Sequence, residues 1–242
     1  MKFDFRERDV DAIELMDDPH ADARMLARTY GRFGLLNALL SHPGRLYRRD
    51  IRPRAAHTQR LRILDIGAGG ADLCRFLAWR LRRDGFDAEI TALDADERAI
   101  RWAQAHDRGA GVTYRCAMTT ELVAAGETYD VVLSNHVLHH LDRAQLRTVI
   151  GDSRRLVAAS GLISHQDIAR SRAAYLLYAG VTWPLARTAL ADSFIREDGL
   201  MSVRRSYTVA ELQEFAPPGW SVRGSIPARL ELRWNGDPAP IG

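Results

Sequence analysis

The sequence predicts an α/β fold, a parallel, doubly wound sheet with helices on both faces, and three observations predict it. First, the nearly continuous apolar run Leu61-Arg62-Ile63-Leu64-Asp65-Ile66 leads directly into Gly67-Ala68-Gly69-Gly70 and then a helical pattern. That is the pattern of a strand buried on both faces, a tight turn and a helix start. Second, apolar runs of strand length alternate with runs of helix length up to about residue 168, as successive strand–helix–strand crossovers do. Third, Trp220 to Ile226 and Ala228 to Trp234 alternate apolar and polar residues around Pro227, which predicts a hairpin.

Residues 1–18 are acidic and weakly patterned, and are expected to be loose. From Ala21 to Leu40 the apolar positions Met25, Leu26, Phe33, Leu35, Leu36, Leu39 and Leu40 fit amphipathic helix, with a break expected near Gly31 to Gly34. His42-Pro43-Gly44 turns the chain into another, basic helix. The core follows, with strands at 61–66, 88–93, 111–116, 130–135 and 161–167 and helices at 71–83, 96–107 and 142–158. Residues 171–190 read as a long apolar helix kinked at Pro184, and Asp192 to Ser206 as an exposed loop. Thr208-Val209-Ala210-Glu211 is a capping box that opens a last helix. The Pro/Gly-rich tail from Asn235 is expected to fray.

Composition narrows the class. The chain has 242 residues, 46% hydrophobic and 27% charged, as an ordinary globular protein has. Its formal charge of +3 rests on arginines scattered among acids, with Lys2 the single lysine, so no basic stripe marks a nucleic-acid surface. Cys74 and Cys116 lack zinc spacing and are expected to be buried free thiols. Met1 to Glu7 is charged from the start, unlike a signal peptide, and the apolar run Ala173 to Ala186 is too short to span a bilayer. A cytoplasmic protein without membrane insertion is expected.

Gly67, Gly69 and Gly70 let the backbone approach a ligand, and the helix N-terminus after them suits a carboxylate or phosphate. The dinucleotide fingerprint calls for glycine at position 72, where this chain has Asp72, which speaks against a dehydrogenase. Asp65 precedes the first glycine by two places, and Asp94 ends the next strand, where an acid can accept hydrogen bonds from ribose hydroxyls. This D-x-G-x-G pattern with its later acid, followed in order by Gly111 to Cys116, Tyr129 to Leu141 and Leu156 to Asp167, resembles the class I S-adenosylmethionine methyltransferases over about residues 61–168. The words Tyr30-Gly31-Arg32-Phe33-Gly34-Leu35-Leu36-Asn37 and Leu39-Leu40-Ser41 resemble the ubiquinone/menaquinone-type members.

That resemblance implies a Rossmann-like, seven-stranded sheet closed by a pair containing an antiparallel strand. Residues 1–60 would be an N-terminal helical lid, and 61–242 the cofactor domain, with a helical acceptor-side insertion at about 171–207. The implied cofactor is S-adenosylmethionine. Asp65, Gly67, Ala68 and Gly69 would hold its methionine end and Asp94 its ribose; Ala117 and Met118 would lie at the adenine, where the family's acid is missing. Ala95, Ser134 and Asn135 complete the implied set.

The ends of strands four and five bring Asn135, His136, His139, His140 and Asp167 to one crevice. Methyl transfer from a sulfonium needs alignment and a nucleophilic acceptor rather than a metal. A neutral histidine is a suitable base for a phenol. His139 is a base or scaffold; Asp167 orients it or caps the next helix; His140 is catalytic or buttresses the turn; His136 lines the acceptor pocket. His165 is left out, as directed away from the face of Asp167. Acceptor surface is expected from Tyr30, Phe33, Tyr175, Tyr178, Trp183 and the 192–207 loop, where Arg204, Arg205 and Tyr207 supply a cationic edge. These features predict O-methylation of a small aromatic or polyketide-like acceptor (a phenol, quinol or pyrone). C-methylation of a quinone precursor and non-catalytic cofactor binding are the alternatives. Nucleic-acid methylation fits poorly, because Ser134-Asn135-His136-Val137 stands where an Asn/Asp-Pro-Pro-aromatic word would be. A homodimer through the N-terminal helices stays open.

Overall fold

The computed structural model describes residues 4–40, 42–226 and 228–236, without the side chains of residues 33–40. Seven strands, β1 (Leu61–Ile66), β2 (Ala88–Asp94), β3 (Thr113–Cys116), β4 (Tyr129–Asn135), β5 (Val157–Ile168), β6 (Ser221–Ser225) and β7 (Arg229–Asn235), form one sheet. Its order is β3-β2-β1-β4-β5-β7-β6, parallel except for β7, which is antiparallel to both of its neighbours. The doubly wound, seven-stranded expectation holds. β1 and β4 are central, and their apolar residues are split between two cores. Ile63, Val131 and Leu133 pack on one face with Tyr47, Ile51 and Leu77, while Leu64, Val132 and Ile163 pack on the other with Leu122 and Leu156.

The helices are α1 (Ala23–Leu40), α2 (Pro43–Leu46), α3 (Arg52–Ala55), α4 (Asp72–Arg83), α5 (Glu97–Ala105), α6 (Thr119–Ala124), α7 (Arg143–Leu156), α8 (Arg172–Thr182), α9 (Ile195–Arg205) and α10 (Val209–Gln213). Sequence-legible caps start several of them: Asp96 for α5, Asp142 with Gln145 for α7 and Thr208 with Glu211 for α10. None of the described helices is long and apolar enough to cross a membrane.

Several expectations give way. α1 runs through Gly31 without a break, because the packing of Leu26 and Tyr30 against Ala99 and Phe194 outweighs the glycine's cost of about 1 kcal/mol. The helix expected to reach residue 190 stops at Thr182, just ahead of Pro184, whose ring and missing N–H end the hydrogen-bond ladder. Most of the expected 192–206 loop is α9, with Glu197 and Asp198 in its first turn and Arg204 and Arg205 in its last, complementing the helix dipole. Cys74 is buried, but Cys116 is exposed, since β3 is an edge strand. The side chain of Phe33, Pro227 and the tail beyond Gly236 lie outside the described residues.

Residues 5–18, expected to be loose, form a strap across the carboxyl ends of β4 and β5. Arg170, buried after β5, donates to the carbonyls of Phe5 (3.1 Å) and Arg6 (3.0 Å) and pairs with Glu211 at 2.6 Å. Arg8 lies 3.6 Å over the Tyr207 ring and donates to the carbonyls of His139 (3.1 Å) and Leu141 (3.2 Å). Asp9 pairs with Arg204. Farther along, Asp198 of α9 accepts the backbone N–H groups of Leu15 and Met16, and Arg98 donates to the carbonyls of Met16 and Asp18. Hydrogen bonds from distant elements order a segment that has no apolar periodicity of its own.

Candidate active site

Beyond the carboxyl ends of the parallel strands lies a cavity of about 480 Å³, where open α/β sheets hold ligands. One arm is built by the glycine turn. Gly67 (φ +65°) could not be replaced freely, since a β-carbon would sit 2.5 Å from Cγ2 of Val137. Gly69 (φ +51°) donates its N–H to Oδ2 of Asp94 at 2.7 Å, and Asp96 donates its own to Oδ1 at 2.9 Å. These bonds fix the Asp94 carboxylate at the cavity wall, where burial raises its pKa. Ala68, Ala95, Ala117, Met118 and Asn135 line the same cavity, as does Asp72.

Two residues expected in this arm do not reach it. Asp65 lies beneath the turn, 3% exposed, and accepts a hydrogen bond from the Cys74 thiol at 3.3 Å. Burial pushes its pKa up to about 7. Ser134 points into the sheet packing, its hydroxyl 2.8 Å from Nδ1 of His165. Its strand position, one residue before Asn135, sends it to the opposite face.

The other arm holds the histidines. The backbone of His136 adopts φ +59°, held by its N–H on the carbonyl of Gln166 at 2.9 Å, and its ring lines the cavity. A left-handed non-glycine residue at a strand end is the kind of strain that functional sites retain. Nδ1 of His136 stands 3.6 Å from Oδ1 of Asp167. Desolvation lowers its pKa, and the nearby carboxylate only partly offsets this. His136 is therefore neutral at pH 7.

His139 is the opposite case. It is 2% exposed, with Nδ1 2.8 Å from Asp167 Oδ1 and Nε2 3.2 Å from Glu14 Oε1. Desolvation lowers its pKa, but the charges and hydrogen bonds of the two flanking carboxylates outweigh this and raise it to about 10. Glu14 is drawn down to about 2, against its own desolvation, by His139. Asp167 also stays far below the ordinary carboxylate range. His139 is thus an imidazolium with both nitrogens occupied, so the expectation that it takes a proton is corrected. Asp167 orients it, also accepting its backbone N–H at 2.9 Å, while the cap of α8 is Ser171. His140 lines the cavity with Nδ1 3.1 Å from Asp17. Glu14, His139 and His140 bring three ligand atoms within 4.8 Å, yet direct Glu14–His139 pairing satisfies this cluster without an ion.

Sequence reasoning missed Glu14, since nothing local in an acidic, unpatterned segment marks a residue whose partner is 125 positions away. It also left out His165. That ring, two residues before Asp167, shares its strand face, but is buried against Trp220 with Nδ1 on Ser134, away from the cavity.

Tyr30 and Tyr178 line the cavity; Tyr30 packs on Trp102, and the Tyr178 hydroxyl donates to the Ile195 carbonyl at 2.7 Å. The expected cationic edge is absent: among the described residues no lysine or arginine lines the cavity. Arg205 is turned to the carbonyls of Ala12, His139 and His140, as the last turn of α9 backs the turn after β4. Tyr207 donates to the Leu141 carbonyl, and Trp183 is 73% exposed. Tyr175 packs edge-on to Phe5.

Known proteins resemble this chain in sequence and in fold. A family model described as a methyltransferase domain matches residues 63–161. The chain is similar to a ubiquinone biosynthesis O-methyltransferase of Parvibaculum lavamentivorans, 37% identical over 105 residues, which are 43% of this chain and 38% of that protein. It is also similar to the enzyme of the same name from Cereibacter sphaeroides, 35% identical over 172 residues, 66% of each chain. The chain thus spans less than half of the first relative and about two thirds of the second. Among solved structures, the plantazolicin methyltransferase BpumL in complex with SAH superposes with a TM-score of 0.64 at 12% identity, over 92% of this chain and 93% of that one, and shares its fold.

Proposed function

The chain is a member of the class I S-adenosylmethionine-dependent methyltransferase superfamily, and from that membership we propose that it methylates a hydroxyl of a small, neutral aromatic acceptor such as a phenol or quinol. The observation that carries the reading is the pair His136–Asp167, a neutral imidazole beside a buried carboxylate at the wall of the cavity. The names of the O-methylating relatives support the same choice of atom.

The residues present fit the methyl donor. At Gly69 a β-carbon would project into open space, so its absence leaves the backbone of the turn accessible, and Asp94 is fixed where ribose hydroxyls can donate to it. Ala117 and Met118 offer an apolar wall for an adenine. When bound, S-adenosylmethionine supplies an electrophilic methyl on a sulfonium.

The chain's own residues then have two tasks. Asp167 beside Nδ1 of His136 favours the tautomer with its proton on Nδ1, which leaves Nε2 as the accepting nitrogen. As the acceptor oxygen gains the methyl group, its proton passes to His136. A phenol, with a pKa near 10, needs this help at pH 7, and such general-base assistance is worth about 10²- to 10⁴-fold. Glu14, Asp17 and Asp198 line the acceptor arm, where burial pushes Asp198 up to about 7, and among the described residues no lysine or arginine lines the cavity. That balance admits neutral hydroxylated rings and repels carboxylated ones.

Incubation with methyl-¹³C-labelled S-adenosylmethionine and a panel of phenols and quinols tests the reading. A labelled methoxy resonance in the product is the expected result. Label in an aryl-methyl resonance would move the reaction to carbon, and binding without any labelled product would leave a non-catalytic protein.

A further inference from the structure

Glu14 lies outside the matched family segment, which begins at residue 63, yet its carboxylate is 3% exposed in the wall of the cavity. Its Oε1 accepts from the Ser202 hydroxyl at 2.8 Å and stands 3.2 Å from Nε2 of His139. Across that ring, Nδ1 of His139 donates to Asp167, whose Oδ1 is also 3.6 Å from Nδ1 of His136. The strap, the turn after β4 and the end of β5 are joined in one row: Glu14, His139, Asp167, His136.

The charges along that row are linked. With His139 protonated, the charge of Asp167 is largely compensated, so the carboxylate can orient the Nδ1–H tautomer of His136 without drawing a second proton onto the ring. Remove the Glu14 charge, and His139 loses one of the two anions that keep it charged. A neutral His139 would leave Asp167 uncompensated beside His136, which would then hold a second proton on Nε2 and be unable to accept one from the acceptor. Resting on the methyl-transfer reading above, we propose that Glu14 is a positioning residue for the transfer, keeping His139 charged so that Asp167 presents His136 as a base. The site is complete only with the strap in place.

Glu14 Oε2 also stands 3.8 Å from Nε2 of His140, and the other charged groups around the row have contacts of their own. Asp17 of the strap faces His140, Asp94 of β2 lies across the cavity, Asp198 of α9 holds the backbone of Leu15 and Met16, and Arg229 of β7 donates to Asn135 and Gln166 beside His136. Arg8 and Arg205 address the carbonyls of His139 and His140 rather than their rings.

The experiment is a ¹⁵N NMR titration of the histidine rings in the 242-residue chain loaded with S-adenosylhomocysteine, for wild type, Glu14→Gln and Glu14→Asp. Turnover, S-adenosylmethionine affinity and melting are followed in parallel. In Glu14→Gln the His139 midpoint is expected to fall by about one pH unit or more and that of His136 to rise. Turnover at pH 7 should drop about tenfold while donor affinity stays within about twofold. Glu14→Asp, which keeps the charge, should recover much of both and serves as the second variant if Glu14→Gln folds poorly. Unmoved His139 and His136 midpoints in a folded variant overturn the proposal. So does wild-type turnover that EDTA abolishes and Mn²⁺ or Zn²⁺ restores, because the cluster would then be a set of metal ligands. Absence of methylated product from the wild type is a failure of the methyl-transfer reading, seen separately from the titration.

Discussion

His136 and His139 stand three residues apart in one turn and hold opposite protonation states, and their neighbours account for the difference. His136 is desolvated with one carboxylate at 3.6 Å, whereas His139 is desolvated between two at 2.8 and 3.2 Å. Two close anions outweigh the burial penalty and one more distant anion does not. This has a consequence for stability. The folded pKa of His139, about 10, lies above its ordinary value of 6.5, so its contribution is complete below about pH 6.5 and is lost as the pH rises through about 10. Glu14, lowered from 4.5 to about 2, contributes fully above pH 4.5 and loses that contribution as the pH falls toward 2. The melting-temperature gap between wild type and His139→Gln is therefore predicted to be widest between pH 4.5 and 6.5 and to narrow toward pH 10. A gap independent of pH in differential scanning calorimetry would show that His139 is not the buried cation described. The histidine cluster itself was legible in the sequence, as were Asp94 and Asp167. The charge of His139 was not, because it depends on Glu14, a contact made through the fold alone.

At the scale of elements, what could be read was what repeats. The apolar runs of β1, β2, β4 and β5 announce buried strands, and Asp142 and Thr208 announce helix starts, because these signals are local. α9 was missed although its acidic first turn and basic last turn are standard helix signals; Leu200, Met201 and Val203 between two charged ends make too short an apolar stretch to show a helical period. The strap was missed for a stronger reason. Its order comes from Arg170, Arg98, Asp198 and Arg204, none of them adjacent in sequence. The contact between α8 and α9 shapes the acceptor arm: a β-carbon at Gly199 would lie 2.1 Å from the Tyr178 hydroxyl. Gly199→Ala is predicted to push the Tyr178 ring from its bond to Ile195, raising the acceptor KM at least about fivefold, a shift of about 1 kcal/mol. S-adenosylmethionine affinity, set in the other arm, should be unchanged. Steady-state kinetics with calorimetric donor titration checks this, and a parallel loss of donor affinity would mean the two arms are not separate.

Over the whole molecule, the sheet supplies one cavity with two unlike arms: a backbone-lined one beside Asp94, and one walled by Glu14, Asp17 and Asp198 with His136 and His139. The fold was legible because a parallel sheet is written in successive short segments. The acceptor arm was not, because strap, turn and α9 assemble it from three distant stretches. Its charge predicts a preference. A catechol should be methylated with kcat/KM at least about tenfold above that of the corresponding dihydroxybenzoate, since an added carboxylate near the acids costs on the order of 1 kcal/mol or more in a partly buried site. Equal values would remove the electrostatic basis for the proposed acceptor class.

The central claim, that a neutral His136 takes the acceptor proton during methyl transfer, is tested most directly by comparing wild type with His136→Asn. S-adenosylhomocysteine formation with a phenolic acceptor is measured across pH 5 to 9, alongside donor binding. The account predicts a wild-type rate whose acidic limb falls below pH 6.5, following the lowered pKa of His136, and a loss of about 10²-fold or more in the variant at unchanged donor affinity. A variant that keeps wild-type turnover and the same acidic limb would contradict it.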